Sequence, residues 1–124
     1  MRALVATLFV ALAMPAVAGA YASFRAPGRT LYCELGDLPA PRVLTCWRAK
    51  DGRSIGMLPT GRALVNPDTN TKNLHQDRAP VLGFGHTWRY RTSYRCISKP
   101  AGVTCRNRSN HAFFLGRYRG YRVF

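Results

Sequence analysis

Four cysteines, Cys33, Cys46, Cys96 and Cys105, stand in two pairs, and each pair brackets a turn between two strand-like runs. Around the second pair, Tyr94-Arg95-Cys96-Ile97-Ser98 and Val103-Thr104-Cys105-Arg106-Asn107 have the composition of strands. Between them, Lys99-Pro100-Ala101-Gly102 places Pro at the second turn position and Gly at the fourth, as a type I turn prefers. Folding the chain about that turn sets Ser98 opposite Val103 and Cys96 opposite Cys105. Directly opposed strand residues have Cα atoms about 4.5–5.5 Å apart, a span that a disulfide bridges. The first pair repeats the layout. Tyr32-Cys33-Glu34 and Val43-Leu44-Thr45-Cys46-Trp47 flank the Pro-rich turn Gly36-Asp37-Leu38-Pro39-Ala40-Pro41. The expected bridges are Cys33–Cys46 and Cys96–Cys105, each closing a short loop and contributing about 2–3 kcal/mol, mostly by restricting the unfolded chain. The alternative use of four cysteines, a zinc site, lacks the Cys-x-x-Cys spacing it needs. Neither a metal nor a cofactor is expected.

The bridges require an oxidising compartment, and the N-terminus supplies the route to one. Arg2 is followed by the apolar run Ala3–Ala13, then Met14-Pro15, then the small residues Ala16-Val17-Ala18-Gly19-Ala20. That order is a secretory signal peptide over residues 1–20, with cleavage after Ala18 or Ala20. The run is too short to span a bilayer, which takes roughly 20 apolar residues. A single secreted domain, 21–124, is therefore expected, with no transmembrane segment. Its destination, secreted or periplasmic, is left open, as is its oligomeric state.

The rest of the domain reads as short strands and turns. Ile55–Leu58 and Ala63–Val65 flank Pro59-Thr60-Gly61 as a hairpin, and Asn66–Arg78 reads as a long loop. Val81–Gly85 is strand-like, with glycines that point to a bulge. His111–Leu115 and Tyr121–Phe124 make the final strands. No window holds helical spacing over three turns. The expected fold is all-β, a small disulfide-stapled antiparallel sandwich or open barrel. Trp47, Trp88, Gly83, Gly85, Phe113 and Phe114 are expected to serve its packing.

Ala79-Pro80-Val81-Leu82-Gly83-Phe84-Gly85-His86-Thr87-Trp88-Arg89 resembles a motif of the form APVLxYGxTWR. Downstream, Tyr94-Arg95-Cys96-Ile97-Ser98, Gly102-Val103-Thr104-Cys105-Arg106-Asn107 and His111-Ala112-Phe113-Phe114-Leu115 resemble a FxCxS…GxTCxN…GHGFFLSR ending. The combination is similar to a family of small secreted bacterial proteins known only as a domain of unknown function. Phe24-Arg25-Ala26-Pro27-Gly28 and Cys33 resemble that family's N-terminal Phe-x-x-Pro-Ser-x-x-x-x-Cys. The resemblance covers 79–124 and 24–33 and fades in between. A central cysteine pair common in the family is missing, and Ala112 replaces its usual glycine. The resemblance implies export and a disulfide-stapled β domain. It implies no activity.

The whole chain of 124 residues carries a net charge of +14, and losing Arg2 with the leader removes only one of those charges. Asp77 is the last acid, so Arg78, Arg89, Arg91, Arg95, Lys99, Arg106, Arg108, Arg117, Arg119 and Arg122 face no carboxylate in sequence. Such a field attracts polyanions. Tyr90, Tyr94, Tyr118 and Tyr121 are interleaved, and guanidinium with aromatic faces suits sugar-phosphate surfaces. Arg89, Arg91, Arg95, Arg106, Arg108, Arg117, Arg119, Arg122, Tyr118 and Tyr121 are the candidate anion-binding residues, for an anionic cell-envelope polymer or surface and no specific nucleic acid. The bland account carries equal weight: 16 Arg to three Lys is also what a GC-rich genome writes without selection for binding.

Enzyme chemistry finds little support. His-Glu-x-x-His and a phosphate loop are absent, and all five carboxylates sit in or beside turns. A ribonuclease needs two histidines as acid and base. His86 and His111 are the candidate pair, and nothing in their spacing joins them. A binding module or inhibitor for an acidic secreted protein is the remaining alternative, since a basic target would be repelled. Asn107-Arg108-Ser109 formally matches a glycosylation acceptor and is discounted in a chain of bacterial type.

Overall fold

A computed structural model describes residues 22–37, 39–66 and 78–124, so the expected leader and most of the expected long loop, Asn66–Arg78, lie outside the described residues. Among the described residues ten strands follow in order: β1 Ser23–Arg25, β2 Leu31–Leu35, β3 Leu44–Arg48, β4 Ser54–Met57, β5 Leu64–Val65, β6 Thr87–Tyr90, β7 Tyr94–Lys99, β8 Gly102–Asn107, β9 Ala112–Gly116 and β10 Tyr121–Val123. They form two antiparallel five-stranded sheets, β1-β2-β3-β4-β5 and β6-β7-β8-β9-β10, each a meander of chain neighbours. The sheets pack face to face as a sandwich, and neither closes into a barrel. Among the described residues no helix is long and apolar enough to cross a membrane.

Both disulfides form as expected, Cys33–Cys46 and Cys96–Cys105, each with Cα atoms 4.1 Å apart between directly opposed residues. Each bridge lies at the centre of a row that runs across its whole sheet. In the first sheet the row is Phe24, Cys33, Cys46, Ile55, Val65. In the second it is Trp88, Cys96, Cys105, Phe113, Val123. Both rows read aromatic, Cys, Cys, bulky apolar, Val. They face each other across the core: Phe24 and Trp88 have ring centroids 5.1 Å apart, and Cys46 Sγ lies 4.0 Å from Cys105 Sγ. The chain is a two-fold arrangement of one strand plan.

The polar locks between the sheets obey the same symmetry. Two residues beyond Cys46, the buried Arg48 sends Nη1 to the carbonyls of Gly116 and Gly120 in the β9–β10 turn. Two residues beyond Cys105, the buried Asn107 sends Nδ2 to the carbonyls of Leu58 and Gly61 in the β4–β5 turn. Each is also fixed at home. Arg48 makes a two-pronged contact with Asp51, at 2.9 Å on both prongs, and Asn107 Oδ1 accepts from Ser109 Oγ and the His111 amide. That Arg48 contact, with the backbone amide of Arg53, holds the Asp51 carboxyl at about 2, below its ordinary 3.8. Gly102 and Gly116 pair across β8 and β9 where there is no room for a side chain. A Cβ at Gly102 would run into the Leu115 carbonyl, and one at Gly116 into that of Arg119.

Two expectations need correction. Val81–Gly85 is not a strand: Val81 makes one parallel bridge to Arg25, and Phe84-Gly85 turn, with Gly85 at φ +84°. The segment is held by bonds to β1, from Arg25 N to Pro80 O and from Leu82 N to Arg25 O, a tertiary pairing invisible in local pattern. Phe114 is half-buried on the outer face of the second sheet, whereas Phe113 is fully buried. Trp47 is buried as expected, in a second small cluster with Tyr32 and Ala79 on the outer face of the first sheet. The Ile55–Val65 hairpin and the last two strands form as read, the former as β4–β5 and the latter shifted by one residue at most ends.

Candidate functional site

Side chains alternate across a strand, so residues flanking the core row point outward. One outward row of the first sheet is Arg25, Tyr32, Trp47, Ser54. It is covered. Tyr32 and Trp47 stack at 5.9 Å, and burial pushes the Tyr32 hydroxyl up to about 12. The symmetric row of the second sheet is Arg89, Arg95, Arg106, Ala112. Here three arginines stand directly opposite one another on adjacent strands, Arg89 and Arg95 exposed and Arg106 half-buried. Like charges in that relation are destabilising. Among the described residues the carboxylates are Glu34, Asp37 and Asp51, and Arg48–Asp51 is their one ion pair. The first sheet has Arg25 at the place of Arg89 but Tyr32 and Trp47 at the places of Arg95 and Arg106, so the fold itself does not demand arginine at those two positions.

The row continues at its far end into an aromatic edge. Phe124 pairs with Ala112 through both backbone bonds and lies exposed. Ala112 carries only a methyl group, so Arg106 reaches over it to within 5.7 Å of the Phe124 ring centroid. Arg122, on the neighbouring outward row of Thr87, Ile97, Thr104 and Phe114, lies 4.9 Å from the same ring. At the near end the β6–β7 turn closes a pocket of about 230 Å³ lined by Arg89, Arg91, Thr92, Tyr94, Arg95, Arg106 and Asn107. Beside it, Arg42 and Arg91 lie 5.5 and 5.4 Å from the Tyr90 ring centroid. The Arg42 hydrogen bond to the Tyr90 hydroxyl, with the charge of Arg91, draws its pKa below the ordinary 10.0.

The ten sequence candidates are therefore divided. Arg89, Arg91, Arg95 and Arg106 converge at the pocket, and Arg122 shares their face. Arg108 is exposed in the β8–β9 turn and is not among the pocket residues. The others lie at the opposite end. Arg117 is occupied by structure: it bonds Thr30 Oγ1 and the carbonyls of Pro27 and Pro100, between the rings of Phe84 and Tyr118. Arg119 and Tyr118 are exposed in the β9–β10 turn, and Tyr121 stacks under Arg53 of the first half. Thr92, Phe124 and Ala112 belong to the site and carried no signal in sequence. They are recruited by the turn and by register.

His86 stands at the end of β7 marked by Ser98, where its carbonyl accepts the Ser98 amide, and His111 stands in the β8–β9 turn beside Asn107 at the other end. The length of β7 separates them, so they do not form an acid–base pair. The Asn107 amide is buried and engaged at both ends, which removes it as a glycan acceptor.

Residues 49–123 match the model of a family described as "Family of unknown function (DUF6636)". The matched region contains the β4–β5 hairpin and the entire second sheet, the arginine row included. No curated protein and no solved structure matches the chain.

Proposed function

The chain belongs to this family of unknown function, and we propose that it is an exported, non-enzymatic binding module that holds an anionic cell-envelope polymer against the outer face of its second sheet. The observation that carries the reading is the row Arg89–Arg95–Arg106. It juxtaposes like charges on three strands, where the equivalent row of the first sheet sets Arg25 beside the buried Tyr32 and Trp47. A repeating anion supplies the missing counter-charge, and arginine's fork meets phosphate or carboxylate oxygens two at a time. Phe124, Arg122 and the half-buried Phe114 and Ile97 extend the face with apolar and cation–π surface for the uncharged part of a repeat. Export is supported by the leader-like N-terminus and by the two disulfides, which belong to an oxidising compartment.

The test is retention of the oxidised chain, from Tyr21, on immobilised teichoic acid, lipopolysaccharide and an uncharged glucan at two salt concentrations. The anionic polymers should retain it and the glucan should not. Affinity should fall steeply between about 50 and 200 mM salt as counterions compete, and each Arg→Gln change in the row should lower the salt slope by about one. Salt-insensitive retention, or none at low salt, would overturn the reading and move the search to a protein partner.

A further inference from the structure

The pocket beneath the β6–β7 turn has a chemistry distinct from the open row. Tyr94 and Asn107 line it but have no side-chain donor to spare. The Tyr94 hydroxyl sits 2.5 Å from the Arg42 carbonyl and 3.0 Å from that of Met57, and Asn107 is spent on four partners. What the lining side chains still offer is the guanidiniums of Arg89, Arg91, Arg95 and Arg106 and the Thr92 hydroxyl. Arg106 gives only one of its nitrogens, Nη1, to Asn110. Guanidinium donates and never accepts. A neutral sugar presents hydroxyls that donate as well as accept, and most of its donors would go unmet here. An anion with acceptor oxygens alone is satisfied throughout.

The volume narrows the class. At about 230 Å³ the pocket is below the roughly 300–1,000 Å³ of sites for drug-sized ligands, so it takes one anionic group and little more. Four cations favour the highest charge in that space. Carboxylates and sulfate esters carry one negative charge, whereas a phosphomonoester carries about −1.5 to −2 at neutral pH on three strong acceptor oxygens.

We propose that this pocket is a discrete site for a phosphomonoester dianion, held by Arg89, Arg91, Arg95 and Arg106 with the Thr92 hydroxyl. The assignment rests on the anionic reading of the same face and sharpens it from a smeared attraction to an end-group site. Two sources share the chemistry, the phosphorylated end of a polymer and free phosphate.

Calorimetry on the oxidised chain tests it, with methyl phosphate, dimethyl phosphate, methyl sulfate and inorganic phosphate at pH 8 and constant ionic strength. Methyl phosphate should bind at least about tenfold tighter than dimethyl phosphate or methyl sulfate. Arg95→Gln and Arg106→Gln should each cost about tenfold or more, the worth of a charge-assisted bond. Lys50→Gln, which removes one charge from the exposed β3–β4 turn of the first sheet, should leave methyl phosphate binding unchanged. Loss of polymer retention after phosphatase treatment of the polymer identifies the end group as the source. Undiminished retention together with tight inorganic phosphate binding identifies free phosphate. Equal binding of mono- and diester, or equal losses in Arg95→Gln and Lys50→Gln, would overturn the site even if salt-sensitive polymer retention stands. Selective methyl phosphate binding without polymer retention would keep the site and sink the adhesion reading.

Discussion

Arg48 and Asn107 show how much one polar side chain does in a domain this small. Each is buried, each stands two residues after a cysteine, and each fastens a turn of the opposite sheet. Unmet buried carbonyls and amides cost roughly 1–3 kcal/mol apiece, so the removal of such a residue is felt through the partners it abandons. Asn107→Ala abandons the Leu58 and Gly61 carbonyls and the His111 amide together. Some of these groups regain water near the surface, and the expected loss is about 2 kcal/mol, a fall of about 10 °C in melting midpoint for a domain of this size. Thermal unfolding followed by near-ultraviolet circular dichroism measures it. An unchanged midpoint would mean that Asn107 does not lock the sheets.

Among the elements, β7 carries the conflict between stability and surface chemistry. Arg95 faces Arg89 on one side and Arg106 on the other. Arg95→Thr replaces the central cation with a good strand former. It should stabilise the fold by about 0.5–1 kcal/mol at low ionic strength, raising the melting midpoint by about 4 °C. The gain should shrink in about 1 M salt, where screening acts within 3 Å. Anionic polymer retention should fall at the same time. A loss of stability at low salt would show that the row stores no repulsion. Half of this row is legible in the amino-acid sequence: the turn at Lys99–Gly102 sets Cys96 against Cys105, which places Arg95 against Arg106. Arg89 is not, because β6 lacks a cysteine and a turn signal and is identified only by its pairing with β7. The two-fold plan is hidden for a related reason. It is expressed in equivalent positions, Arg48 with Asn107 and Tyr32 with Arg95, and their side chains share no chemistry. Val81–Gly85 misleads because its one bridge is to β1, far away in sequence.

At the scale of the whole molecule, the same strand plan is used twice with different charge. The described first half holds Glu34, Asp37 and Asp51 among its cations, whereas residues 78–124 hold ten cations and no acid. A basic protein with evenly spread charge would meet a polyanion in any orientation. Here the field points through the second sheet, and steering by such a field sets orientation as well as rate. Docking should therefore be face-specific. Arginine modification with phenylglyoxal, read by peptide mass mapping, tests this directly. With anionic polymer bound at low salt, Arg89, Arg95 and Arg122 should become protected, while Arg53 and Arg62 of the first half react as they do in the free chain. Both sets should react fully once salt releases the polymer. Equal protection of the two halves would mean that net charge alone draws the protein to the polymer, and the arginine row would lose its special standing.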